Sequence, residues 1–160
     1  MVDGKRAVIA ASMALAMVWA LGLVWVARGP GTDDPARALA VGFLPAGLVM
    51  AAMVGRLAQR RFFDDAIIDG AAFLPGSGAD IDQRVLTNTT EQLALALAVW
   101  PFAGWVLGWG LVPVLGLNFA VMRILFWLGY HLSPPLRGLG FAATFYPSVV
   151  AAVWALAVWA

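Results

Sequence analysis

Two charged side chains, Glu91 and Arg123, stand inside long apolar stretches of this chain. A charge within a bilayer is costly, turns toward the bundle interior or a water-filled cavity, and as a rule marks function. Other polar residues recur around these two at helical spacing. Arg84, Asn88 and Glu91 follow i, i+4, i+7 and form one stripe. Arg123, Phe126 and Tyr130 follow i, i+3, i+7 and form another. Further on, Ser133-Pro134-Pro135 reads as an N-cap with proline in the first turn of a helix. Arg137 then falls in that first turn, where the helix dipole disfavours a cation. An arginine kept there makes sense if an anion sits against it. The chemistry that suits this pattern is the binding of a small anion beneath a membrane surface.

The elements that position these residues are apolar spans. Five stretches qualify: 7–27; 38–55, interrupted by Pro45; 93–107, lengthened by a polar helical start over 85–92; 111–130, whose one charge is Arg123; and 138–160. A helix rises about 1.5 Å per residue, so about 20 residues cross the hydrocarbon core. The expected fold is therefore an all-α integral membrane protein with five transmembrane helices. Composition agrees, since 62% of the 160 residues are hydrophobic and 12% are charged. Soluble domains average about 45–50% apolar and about 25% charged. The mean hydropathy of +0.86 excludes disorder and an ordinary cytosolic enzyme.

Other classes fall away on residue counts. With 10 basic and 9 acidic residues, the net charge is +1, and no basic run tracks a nucleic-acid backbone. The absence of cysteine removes disulfides, thiolate metal sites and a cysteine nucleophile. A single histidine, His131, removes any multi-histidine metal site, so no metal is expected. His131 itself reads as a solvated loop residue. No glycine-rich phosphate loop occurs.

Orientation follows from the basic residues. With the N-terminus in the cytoplasm, the inner side holds Lys5, Arg6, Arg56, Arg60, Arg61, Arg84 and Arg137, and the outer side holds Arg28 and Arg37. Trp105, Trp109 and Trp159 then sit at the outer interface. The first apolar run exceeds the roughly 7–15 residues of a signal-peptide core, so it reads as a retained helix. Arginine in place of lysine, with abundant alanine, points to a GC-rich bacterial genome and hence to a bacterial inner membrane. The one long polar segment, 56–83, is cytoplasmic, and its apolar pieces Phe62-Phe63 and Ala66-Ile67-Ile68 suit the membrane surface.

The third and fourth spans form a tight hairpin whose tip lies near Trp109. Glu91 is about 18 residues from the tip and Arg123 about 14, a gap of about one turn. Asn88 and Tyr130 are level with one another. The polar groups of both helices therefore meet in one layer under the cytoplasmic surface. Plainer readings remain open on spacing alone. The run 87–92 also reads as a helix start at the interface, Glu91 and Arg123 as a structural pair, Tyr130 and Trp127 as interfacial anchors, and Arg60 and Arg61 as topology signals.

The string Arg84-Val-Leu-Thr-Asn88-Thr-Thr-Glu91-Gln resembles the Arg-x-x-x-Asn-x-x-Glu signature of the membrane-associated proteins in eicosanoid and glutathione metabolism, the MAPEG family. Arg123-x-x-Phe126-x-x-Gly129-Tyr130 followed by Arg137 resembles the second block of that family. The resemblance covers roughly 39–160. It implies a homotrimer of helical bundles that binds glutathione as co-substrate from the cytoplasmic side, at the interface between subunits. Arg84, Asn88, Glu91, Tyr130 and Arg137 would line that site, and Arg123 would stand at a matching arginine. Arg60 or Arg61 would match an arginine at the inner end of the preceding helix. The arginine at the place of Arg137 would stabilise the glutathione thiolate and is the catalytic candidate. Phe126 and Gln92 stand where members of the family carry tyrosine.

The expected organisation is an extra N-terminal helix and outer loop over 1–37, then a four-helix domain over 38–160 with a cytoplasmic loop over 56–84. The expected activity is that of a glutathione-dependent transferase or peroxidase acting on small apolar electrophiles dissolved in the bilayer. A membrane protein binding glutathione or a lipid-like ligand without turnover is the alternative. A small transporter using Glu91 and Arg123 is the third.

Overall fold

The computed structural model describes residues 2–29 and 31–160, with side chains from Arg6 onward. The side chain of Lys5, one of the orienting basic residues, lies outside the described set. Five helices follow one another: α1 (Val2–Ala27), α2 (Pro35–Phe62), α3 (Gly78–Leu107), α4 (Leu111–Leu132) and α5 (Pro134–Trp159). No strand occurs among the described residues. All five helices are long and apolar enough to cross a membrane.

Local sequence sets the helix starts. Asp34 caps α2 by accepting from the Arg37 backbone N–H at 3.1 Å, with Pro35 at the first helical position. Ser77 caps α3 by accepting from the Asp80 N–H at 3.2 Å. Ser133 is extended, and Pro134 opens α5. The Ser133 side chain makes no capping bond, so proline alone carries the start expected there.

The helices outrun the apolar stretches that announce them. Segment 56–84 is helical at both ends and irregular only over 63–77. α3 has 30 residues, whereas about 20 suffice for the hydrocarbon core, so its first turns project beyond it. Phe62, Phe63 and Ile68 are exposed, but Ile67 is buried under the loop. His131 lies in the last turn of α4 rather than in a loop, because the helix continues two residues past the apolar run that ends at Tyr130.

Small residues let the helices approach closely, as bilayer packing favours. A Cβ on Gly42 would meet Val112 Cγ1 at 2.7 Å, and one on Gly116 would strike the Gly42 carbonyl. α2 and α4 are thus in backbone contact. On the other side of α4, a Cβ on Gly140 would meet Phe126 Cα at 2.7 Å, and one on Gly129 would meet Arg137 Cα at 2.6 Å. α4 is the central element, packed against every other helix.

α1 packs on α5 and α4. Ala16, Ala20 and Val24 are fully buried there, and Val24 belongs to the same apolar core as Trp100, Leu115 and Ala151. The Trp19 indole N–H donates to Asn118 Oδ1 at 2.9 Å, and Asn118 Nδ2 donates to the Ala143 carbonyl at 2.9 Å. At the far end, the Arg28 guanidinium lies 3.6 Å from the Trp25 ring centroid and 4.6 Å from that of Trp154.

Candidate functional site

The site grows from Arg123, which α4 holds with 0% of its surface exposed. A buried guanidinium needs acceptors for its donors. Its Nη1 donates to Asn88 Oδ1 at 2.8 Å, and its Nε donates to Thr144 Oγ1 at 3.3 Å. Its Cζ lies 4.1 Å from the Phe126 ring centroid, a cation–π contact. The other side of the Asn88 amide donates to Glu91 Oε2 at 3.2 Å. Glu91 and Arg123 are therefore joined through Asn88 and not as a direct pair. The asparagine is the right length to sit between them because it stands one helical turn before Glu91 on the same face of α3.

From Arg123 the contacts continue toward the inner end of α4. Phe126 and Tyr130 meet edge to face, with centroids 5.0 Å apart. The Arg137 guanidinium lies 4.9 Å from the Tyr130 ring centroid. Gly129 makes this possible, since any side chain there would push the first turn of α5 away from α4. Glu91, Asn88, Arg123, Phe126, Tyr130 and Arg137 thus form one run of successive contacts across α3, α4 and α5. The ends of the run are open: Glu91 and Arg137 are exposed, while Phe126 in its middle is buried.

Arg84 extends the α3 stripe one turn further but points to solvent. It is 60% exposed, and its Nη2 pairs with Asp80 Oδ2 at 2.8 Å. A shallow groove of ≈ 460 Å³ lies beside this stripe, sharing Glu91 with it and otherwise lined by Gln83, Leu86, Thr87, Thr90 and Ala94. Arg60 and Arg61 lie apart from this run. Arg61 ties down the loop: its Nη1 donates to the Ile67 and Ala71 carbonyls at 3.1 and 3.2 Å, and its Cζ lies 4.2 Å from the Phe73 centroid. Arg60 donates from Nε to Asp82 Oδ2 at 2.6 Å.

Asp82 is the polar centre that motif spacing does not reveal. Its side chain is 2% exposed. Besides Arg60, it accepts from the Trp127 indole N–H at 2.7 Å and meets His131 Nε2 at 2.8 Å. Trp127, half-buried near the inner end of α4, is therefore hydrogen-bonded to α3, and His131 is partnered. One signal for this was available. Ala79, Asp82, Val85, Thr89, Gln92 and Ala96 are all buried and follow helical spacing, so an acid stands on the inward stripe of α3. Reading it required extending α3 back to Gly78, well before its apolar run begins.

These features define a helical integral membrane protein whose bundle encloses a buried arginine beside an open polar face. The model of the MAPEG family matches residues 7–157, and the chain belongs to that family of glutathione- and eicosanoid-associated membrane proteins. The match takes in α1 as well as α2 to α5. No curated protein and no solved structure matches the chain.

Proposed function

We propose that this protein is a glutathione-dependent transferase or peroxidase acting on small apolar electrophiles dissolved in the bilayer. It works as a homotrimer in a bacterial inner membrane with its N-terminus in the cytoplasm. α2 to α5 form the functional bundle, and α1 is an added helix. The observation that carries this reading is the run of contacts from Glu91 through Asn88, Arg123, Phe126 and Tyr130 to Arg137.

Glutathione offers two carboxylates and one ammonium, so guanidiniums beside a single carboxylate are its complement. Arginine suits this better than lysine because its planar fork takes a carboxylate with two parallel hydrogen bonds. In this reading Arg84 and Arg137 take the carboxylate and thiolate ends, and Glu91 takes the ammonium. Arg123 sets Asn88 from below, and Tyr130 supplies a hydroxyl. Arg60 or Arg61 of a neighbouring copy closes the inner rim. The free thiol titrates near pH 8.5, and an adjacent cation lowers that value. Arg137 lies in the first turn of α5, where the helix dipole adds to the same field. The thiolate then attacks carbon of an electrophile, forming a thioether as the leaving group departs with the bonding pair, or attacks oxygen of a peroxide, breaking the O–O bond to give a sulfenic acid and an alkoxide that takes a proton to become the alcohol. A second glutathione converts the sulfenic acid to the disulfide and water.

The test is glutathione uptake by the detergent-purified protein, with the ultraviolet absorbance of bound thiolate. Wild type shows the absorbance and Arg137→Ala loses it. Unchanged absorbance in that variant removes the role given to Arg137.

A second reading is a membrane protein that binds glutathione or a lipid-like ligand without turnover. It is favoured by Phe126, which is 3% exposed and has no hydroxyl, and by Gln92, whose Oε1 is buried without a partner. Conjugation of a chlorinated aromatic substrate that depends on Arg137 discards it.

A further inference from the structure

We infer that Asp82 is a positioning residue for the proposed site, clasping α4 to α2 and α3 so that Tyr130 faces the ligand. The inference rests on the glutathione reading and adds to it a residue outside both sequence motifs. Asp82 is 2% exposed and holds Arg60 of α2 at 2.6 Å, and Trp127 and His131 of α4 at 2.7 and 2.8 Å. Arg56 stands behind, its Nε 4.0 Å from Asp82 Oδ2. A carboxylate buried to this degree is held only while its charged and polar partners stay in place, so the cluster forms as a unit.

The spacing on α4 gives the clasp its consequence. Trp127 and His131 are one helical turn apart, and so are Phe126 and Tyr130. Each member of the first pair follows a member of the second by one residue, about 100° around the helix. Gripping Trp127 and His131 from α3 therefore sets the direction in which Phe126 and Tyr130 point. α3 grips α4 at a second place, where Asn88 accepts from Arg123. The two grips bracket Phe126 and Tyr130. Loss of the Asp82 grip frees the Tyr130 end while the Arg123 end stays held. Asp82 touches Arg60, a candidate for the inner rim, but none of Arg84, Asn88, Glu91, Arg123, Tyr130 and Arg137, and it acts on these through α4.

The experiment uses the full chain in detergent, with glutathione binding by calorimetry and hydrogen–deuterium exchange on wild type, Asp82→Asn and Trp127→Phe. Trp127→Phe keeps the ring and removes one donor, so it carries the test if Asp82→Asn does not fold. The expected result is about tenfold weaker glutathione binding in each variant, a loss of about 1.4 kcal/mol. Exchange should rise in the inner half of α4 and stay unchanged in α1. A Tyr130→Phe background separates positioning from general stability. Sites acting through the same contact are non-additive, so the clasp variants should cost less affinity there than in wild type. Faster exchange with unchanged affinity, or fully additive losses, reduces the cluster to a structural ion pair and overturns the proposal. Wild type that binds no glutathione overturns the functional reading and the positioning role with it. Wild type that binds while the variants bind equally well overturns the positioning role alone.

Discussion

Arg123 is a fully buried cation with no direct carboxylate partner among the described residues, and that combination dictates how its neighbours behave. Asn88 does two jobs with one amide, accepting from Arg123 and donating to Glu91. Asn88→Leu removes both and strands Nη1 inside the bundle. Leaving a buried donor unsatisfied costs about 1–3 kcal/mol, so the variant should melt earlier in detergent than wild type. Arg123→Lys should do similar harm despite keeping the charge. A single ammonium cannot reach Asn88 and Thr144 while stacking flat on Phe126. Equal melting temperatures for wild type and Arg123→Lys would show that the fork geometry contributes nothing. That Asn88, Glu91 and Arg123 gather together was legible from helical spacing, but their pairing was not: the count from the hairpin tip sets Asn88 level with Tyr130, whereas Asn88 accepts from Arg123. Asp82, Trp127 and His131 were not legible. Their partnership crosses from one polar helix end to another, where hydropathy no longer marks which residues are helical.

Helix packing explains how Arg137 reaches its place. α4 and α5 are joined through Ser133 alone, so α5 folds straight back against the helix it leaves. The close approach occurs at Gly129, where a Cβ would meet Arg137 Cα at 2.6 Å and the Leu136 carbonyl carbon at 2.7 Å. Backbone has no rotamer to change, so Gly129→Ala must part the two helices at the site. Overpacking of this kind costs about 1–3 kcal/mol. The variant should lose both thermal stability and glutathione uptake, because Arg137 moves away from Tyr130. Gly138 is the matched control, with no atom within 4 Å of its added Cβ. Gly138→Ala replaces glycine inside a helix and should gain about 0.5–1 kcal/mol with the site unchanged. Helix number and type were readable from apolar run lengths. These glycine contacts were not, since a glycine in an apolar run looks the same whether it faces lipid or another backbone.

The whole molecule leaves one face unfinished. Gln83, Arg84, Thr87, Thr90 and Glu91 are all exposed along α3, a helix whose apolar continuation crosses the bilayer. Thr90 and Glu91 stand past the first turns that project beyond the hydrocarbon core, and polar groups turned toward lipid there are unfavourable. α1 does not cover them, because it packs on α5 and α4. The same face carries two of the proposed ligand contacts, Arg84 and Glu91, so whatever covers it also completes the site. In the proposed trimer a second and third copy would satisfy both needs, each supplying helix surface to the next. The absence of cysteine makes this direct to measure. A single Thr87→Cys, exposed in the middle of the stripe, carries one thiol per copy, so a bifunctional thiol cross-linker should join two copies and a trifunctional one three, a ladder of two and then three. Leu128→Cys, on the exposed face of α4, should give no ladder. Pairs with both linkers and no three-copy product with the trifunctional one would change the stoichiometry. No cross-linked species at all would mean that α3 presents its polar stripe to lipid or to a different protein, and the interfacial glutathione site would go with it.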